Sequence, residues 1–195
     1  MVEDGELKDL SLRIKYNTMK LLINISSFYW ILFFYFIHNE IFILDSCIYD
    51  RYVSSILYLL IGIFLGYISL KYMKTKVNKK TSDNLEVEKI YPVYTEYMPI
   101  YLAIIVIAFE LNNIIDITNT YTVIILFFAV FIIFSISNIG YLNPIWYFLG
   151  YRIYKVENTK ANYIFISLKK DDYKSKENID NIVKIDEFVF IKREV

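Results

Sequence analysis

One histidine, His38, and one cysteine, Cys47, set narrow limits on the chemistry this 195-residue chain can perform. A hydrolytic triad needs partners that a lone histidine does not supply, and a zinc site needs more imidazoles or thiols than are present. A single cysteine closes no disulfide within the chain. No glycine-rich phosphate loop occurs, because the one close pair, Gly62 and Gly66, stands inside an apolar run. That pair either lets a neighbouring helix approach closely in a membrane or is a chance feature of such helices. The remaining candidates are His38 and Glu110, which border or interrupt long apolar stretches. An ionisable group held in hydrocarbon costs on the order of several kcal/mol, so it marks a functional path unless it reaches headgroups or water. Both lie near the ends of their runs, which favours the interface. Asn24, Ser26, Ser27, Ser135, Ser137 and Asn138 suit hydrogen bonding between packed helices. No catalytic residue, metal or cofactor is expected, and the chain reads as non-enzymatic.

The elements that must position these residues are set by composition. Hydrophobic residues make up 56% and aromatics 18%, and mean hydropathy is +0.39. A soluble domain of this size would leave much of that surface exposed, and large apolar patches invite association. Crossing about 30 Å of hydrocarbon takes about 20 apolar residues. Leu21–Ile37, Tyr52–Leu70 and Tyr121–Leu142 are free of charge and meet that need. Met98–Leu111 is shorter and carries Glu110. It is preceded by Tyr91, Tyr94, Tyr97 and Tyr101, whose spacing fits an interfacial aromatic belt, so a third span over about 93–113 is expected. The fold class is therefore an α-helical membrane protein with four transmembrane helices, spanning about 21–37, 52–70, 93–113 and 121–142.

Charge decides the orientation. Residues 1–20 hold four Lys or Arg, the connection from 71 to 92 holds six, and the segment after 142 holds ten. These are twenty of the twenty-one basic residues. Residues 38–51 contain only Arg51, and 112–120 contain none. Short basic loops resist translocation, so both termini are expected in the cytoplasm. The net charge is zero, so direct nucleic-acid binding is not expected. The first run follows twenty polar residues and reads as a signal anchor. Leu7, Leu10 and Ile14 share a face, which lets 1–20 lie along the inner leaflet as an amphipathic segment.

After the fourth run, Pro144 is expected to end the helix, Trp146, Tyr147 and Phe148 to sit at headgroup level, and Gly150 to permit a tight exit. Periodicity then changes. Tyr151–Val156, Tyr163–Leu168 and Ile185–Ile191 are β-type runs divided by polar stretches. They predict a small β-rich cytoplasmic subdomain over 143–195, three-stranded and antiparallel. It is too small to stand alone, so it must pack on the inner loop, a second subunit or a partner.

With the four runs and the junction from Asn143 through Pro144, Gly150, Tyr151 and Arg152 to Tyr154 in view, the chain resembles the KwaA family, membrane subunits of the Kiwa bacterial antiphage defence system. The resemblance implies a homo-oligomer of the inner membrane that senses infection. It also implies a cytoplasmic DNA-binding partner, KwaB-like, docked on the inner face. A reading from a different class is an oligomeric channel or pore-forming effector, with Asn24, Ser26, Ser135 and Asn138 lining a path and Glu110 forming a cation-attracting ring.

Overall fold

The computed structural model describes residues 2–44, 48–78, 83–114, 120–137, 139–158, 161–168, 173 and 178–193. Asp45, Cys47, Asp116 and Asn138 lie outside them, as do the side chains of Leu7, Leu10, Ile14 and Tyr97. Two compact units are present, one made of residues 1–69 and 105–141, the other of 70–104 and 142–195.

Helix α1 (Val2–His38) is unbroken. No proline interrupts that stretch, so residues 2–20 continue directly into the first apolar run and do not form a separate element. Helix α2 covers Ile48–Val77. Within these two, Asn17–His38 and Tyr49–Val77 are long and apolar enough to cross a bilayer. The chain is thus a membrane protein. Helix α3 (Tyr94–Ile114) is long, but its uninterrupted apolar stretch is only Met98–Ile107; Glu110, Asn112 and Asn113 dilute the remainder. Helix α4 (Thr120–Ile136) stops before the expected limit of 142. It is followed by a 3-10 turn at Ile139–Tyr141 and a short helix α5 at Pro144–Phe148. Taking Tyr121–Ile136 and its bent continuation Ile139–Phe148 as one span raises the number of candidates from two to three. The expected count of four is therefore not reached by length and hydropathy alone.

In the first unit α4 lies antiparallel to α1. Phe28 meets Phe131 and Phe134 edge-on, with ring centroids 5.2 and 5.9 Å away, while Tyr35 meets Phe127 at 4.9 Å. Offset and edge-on aromatic pairs satisfy the ring quadrupoles and add to area burial. Helix α2 packs on α1 through Gly62, which is buried; a Cβ there would come within 3.1 Å of the Tyr29 and Trp30 rings. Gly62 of the small-residue pair therefore serves packing within the chain. Tyr29 Oη donates to the Tyr58 carbonyl at 2.8 Å beside it. The break after α4 is gripped by α1: Ser27 Oγ donates to the Gly140 carbonyl, and a Cβ on Gly140 would collide with Asn24 Oδ1. These polar groups of α1 hold the turn where the apolar run alone predicts more helix.

The second unit carries a six-stranded sheet in the order β1-β5-β6-β4-β3-β2. Its strands are β1 Asp83–Glu86, β2 Lys89–Pro92, β3 Tyr151–Glu157, β4 Asn162–Leu168, β5 Asn178–Asp186 and β6 Val189–Lys192. All pairings are antiparallel except β4 with β6. The expected three-stranded antiparallel sheet is thus doubled. The connection between the second and third runs supplies both edge strands. The run Ile185–Ile191 is split by a turn at Glu187-Phe188, where Asp186 Oδ1 accepts from the Glu187 N–H at 2.6 Å. Leu85, Val87, Val156, Phe165, Ile179, Ile182 and Phe190 form the core. Leu85 and Val87 in that core show why the tail cannot stand without residues 83–92.

Candidate functional site

The junction expected at 143–154 folds into one local structure within the second unit. Asn143 is the N-cap of α5, its Oδ1 accepting from the Ile145 N–H at 2.9 Å, and Pro144 opens the helix. Proline at this position costs nothing, since its missing N–H would be unsatisfied anyway and its φ is already helical. It therefore starts a helix, where the sequence pattern suggested that it ends one. Trp146 is fully buried, while Tyr147 and Phe148 are 52% and 82% exposed. Gly150 has φ +92°, a conformation that L side chains rarely adopt, and this turns the chain from α5 into β3.

Arg152 folds back over the turn it follows. Its Nη1 donates to the carbonyls of Tyr147 at 3.0 Å and Tyr151 at 2.9 Å. Its guanidinium lies 3.7 Å from the centre of the Tyr147 ring. On the neighbouring aromatic, Lys74 Nζ sits 5.0 Å from the Tyr151 ring centre. Cation–π attraction of this kind grows as the pair is desolvated. Tyr154 faces the sheet, its ring 5.6 Å from that of Tyr173 and 6.3 Å from that of Phe165.

Beside this turn is a cavity of ≈ 360 Å³. The first turns of α3 contribute Tyr94, Met98, Tyr101 and Leu102. The junction and β3 contribute Leu142, Tyr147, Phe148, Tyr151 and Ile153 among others. Small-ligand sites commonly enclose about 300–1,000 Å³ behind mostly apolar walls, with a few polar groups to orient the ligand. Sequence reasoning found the junction but not the cavity, because α3 and the junction are more than forty residues apart. The tyrosines at 94 and 101 were the available signal.

The other sequence candidates belong to the first unit. His38 stacks on Phe109, with ring centroids 4.5 Å apart and an interplanar angle of 19°. The last turn of α1 thus meets the part of α3 that carries Glu110, and both ionisable side chains are exposed. Asn24, Ser26 and Ser27 are buried inside the chain, and Asn24 Oδ1 and Ser135 Oγ have no hydrogen-bond partner among the described residues. Among the described residues no group of three or more His, Cys, Asp or Glu is placed to hold a metal ion.

Beyond the junction, Tyr91 on β2 donates to the Glu157 carboxylate on β3, and Lys89 approaches the same carboxylate at 3.7 Å. The hydrogen bond raises the Tyr91 pKa and lowers that of Glu157.

No curated protein and no solved structure matches the chain. A family model described as anti-phage protein KwaA matches residues 19–191.

Proposed function

This chain belongs to the KwaA family of anti-phage proteins, and on that premise we propose that it is the membrane component of an antiphage defence system. In this reading it sits in the inner membrane, senses infection there, and holds a cytoplasmic DNA-binding partner, KwaB-like, without binding nucleic acid or catalysing a reaction itself. It acts as a homo-oligomer, and its four helices cross the bilayer with both termini in the cytoplasm.

The outward faces of the helices support the membrane part. Phe64 on α2, Val106 on α3 and Phe128 on α4 are 61%, 57% and 64% exposed, the inverse of a soluble bundle and the normal state for side chains that face lipid. The contacts of α1 support the four-span order: Phe28 and Tyr35 pair with α4 in antiparallel sense, and His38 meets the far end of α3. Helix α3 has 21 residues, which at about 1.5 Å each matches the hydrocarbon thickness.

The observation that carries the partner-holding role is the six-stranded sheet. It is built from the two chain segments that hold sixteen of the twenty-one basic residues, six before it in α2 to β2 and ten in the tail. Both segments fall on the side where such charge is retained. Strands β1 and β2 are the outermost strands of the sheet among the described residues, and an edge strand with free backbone groups accepts an added strand. The test is affinity purification of the full chain from cells that express the neighbouring genes. A soluble DNA-binding protein is expected to co-purify and to be lost when Phe165→Asp disrupts the sheet, while the variant stays in the membrane fraction. Retention of that partner by a membrane-inserted Phe165→Asp chain would overturn the role assigned to the sheet.

A further inference from the structure

We propose that the cavity between the first turns of α3, helix α5 and the start of β3 takes one acyl chain of a membrane lipid, held by hydrocarbon contact alone and whatever the headgroup. The inference deepens the membrane-sensing reading given above and rests on it. A chain in this cavity brings the packing of the bilayer to bear on β3, a strand paired on both sides within the sheet.

The walls of the cavity are set by contacts that need no occupant. On one side the ladder between β2 and β3 runs past Pro92, paired with Tyr154, to the Val93 N–H, which donates to the Ile153 carbonyl at 3.0 Å. Val93 is buried, and Tyr94, the first residue of α3, follows it at once. The start of α3 is thereby tied to the strand that lines the cavity. On the other side the Asn143 cap and the fully buried Trp146 hold α5, and the Gly150 turn joins it to β3. A space of ≈ 360 Å³ framed in this way does not close by a local shift. Left empty, it would forfeit the dispersion contacts of every side chain that lines it.

The lining decides what fills it. Met98, Leu102, Leu142, Ile153 and four tyrosine rings make up most of the wall, and among the described residues no charged side chain contributes to it. Apolar cavities stay dry and take apolar ligands, whereas a water-soluble metabolite needs several polar groups to orient it. The lip is apolar as well, since Met98, Leu102 and Phe148 are 60%, 55% and 82% exposed. Met98 and Leu102 stand four residues apart on α3 and so share one side of that helix. A hydrocarbon chain crosses such a lip without meeting water. Tyrosine suits the same boundary, its ring among chains and its hydroxyl among headgroups. With no charge in the wall, the chain is what the site recognises.

The experiment places the full chain in nanodiscs doped with phosphatidylcholine or phosphatidylglycerol whose acyl chain ends in a photoactivated diazirine. Labelled residues are then mapped by peptide mass spectrometry. Tyr151 is only 4% exposed, so lipid reaches it through the cavity or not at all. Tyr151 and Ile153 are expected to be labelled, to a similar extent from either lipid, with Phe64 and Phe128 on outward helix faces as the measure of bilayer contact. Ile153→Trp, which fills the cavity from the strand, should cut Tyr151 labelling about tenfold relative to Phe64, while Ile153→Val should leave it unchanged. Protease resistance of residues 151–193 checks that each variant is folded. If Ile153→Trp fails that check, the parent chain decides alone. Label on Phe64 and Phe128 with none on Tyr151 or Ile153 would overturn the site and leave the membrane reading intact, whereas no label anywhere removes both. Labelling that required one particular headgroup would overturn recognition by the chain. Tyr151 labelling that vanished as copies were crowded into one disc would show a second copy in the cavity, and would overturn the proposal too.

Discussion

Glu157 takes a hydrogen bond from Tyr91, and that contact sets the direction in which both groups titrate. The bonded carboxylate is held below the ordinary 4.5, and the bonded phenol above 10.0. Glu157 therefore contributes stability that is present above its unfolded value and lost as pH falls through the lower folded one. Tyr91 contributes stability that is present below about 10 and lost as pH rises through its folded value. The pairing of β2 with β3 is expected to loosen at both extremes. Tyr91→Phe should move the Glu157 titration, followed by carboxyl NMR, upward toward 4.5; an unchanged midpoint would mean that Lys89 and Lys155 set it instead. Glycine provides a second pair of residue-scale tests. At Gly150 a Cβ meets nothing, so Gly150→Ala costs only backbone strain, about 1–2 kcal/mol. At Gly140 the Cβ meets Asn24 itself, so Gly140→Ala should cost about 1–3 kcal/mol by overpacking. Thermal unfolding in detergent should show that Asn24→Ala recovers part of the Gly140 loss and none of the Gly150 loss.

At the scale of elements, what was legible in the sequence followed from period and charge. Helices α1 and α2 announce themselves because no charge interrupts a span's length, and β3 and β4 because short aromatic and β-branched runs stand between polar stretches. Two features were hidden, each for a stated reason. Asp83–Glu86 and Lys89–Pro92 are only four residues each, too short for alternation to register, and their partners lie more than sixty residues away. The end of α4 was hidden because its cause is Asn24 and Ser27 on another helix, which no local pattern displays. At the candidate site, the junction was visible as a string of turn and cap residues. The cavity needed α3 brought against it. The sheet carries the test of this scale. Replacing 83–92 by a glycine-serine linker takes Leu85 and Val87 out of the core and exposes the backbones of β5 and β3. Residues 151–193 should then be cut by protease in membranes where the parent chain resists. Phe165→Ala, at a fully buried position, should cost about 3–5 kcal/mol and produce the same sensitivity.

For the whole molecule, the decisive quantity is which connections face which compartment, and the chain's only cysteine is well placed to report it. Cys47 lies within residues 38–51, between the first two apolar runs, where Arg51 is the only Lys or Arg. If lysine and arginine are excluded from that connection because they resist transfer, a membrane-impermeant maleimide should label Cys47 in spheroplasts without lysis. In a Cys47→Ser background, Asp116→Cys should be labelled from the same side. Asn78→Cys, beside the sheet, should react only after the membrane is opened. The Asp116 position carries the most weight, because it alone distinguishes four crossings from two: α3 meets the length requirement only when its polar end is counted, and α4 has 17 residues, the short limit for a span of about 17–25. Were α3 and α4 to dip into one leaflet and return, residue 116 would stay on the basic side or in the bilayer and escape the reagent. The tail would lie on the same side as the N-terminus in either case. Labelling at 116 is expected because a path that left residue 116 in the bilayer would hold Glu110 and Asp116 within hydrocarbon, at a cost on the order of several kcal/mol for each charge.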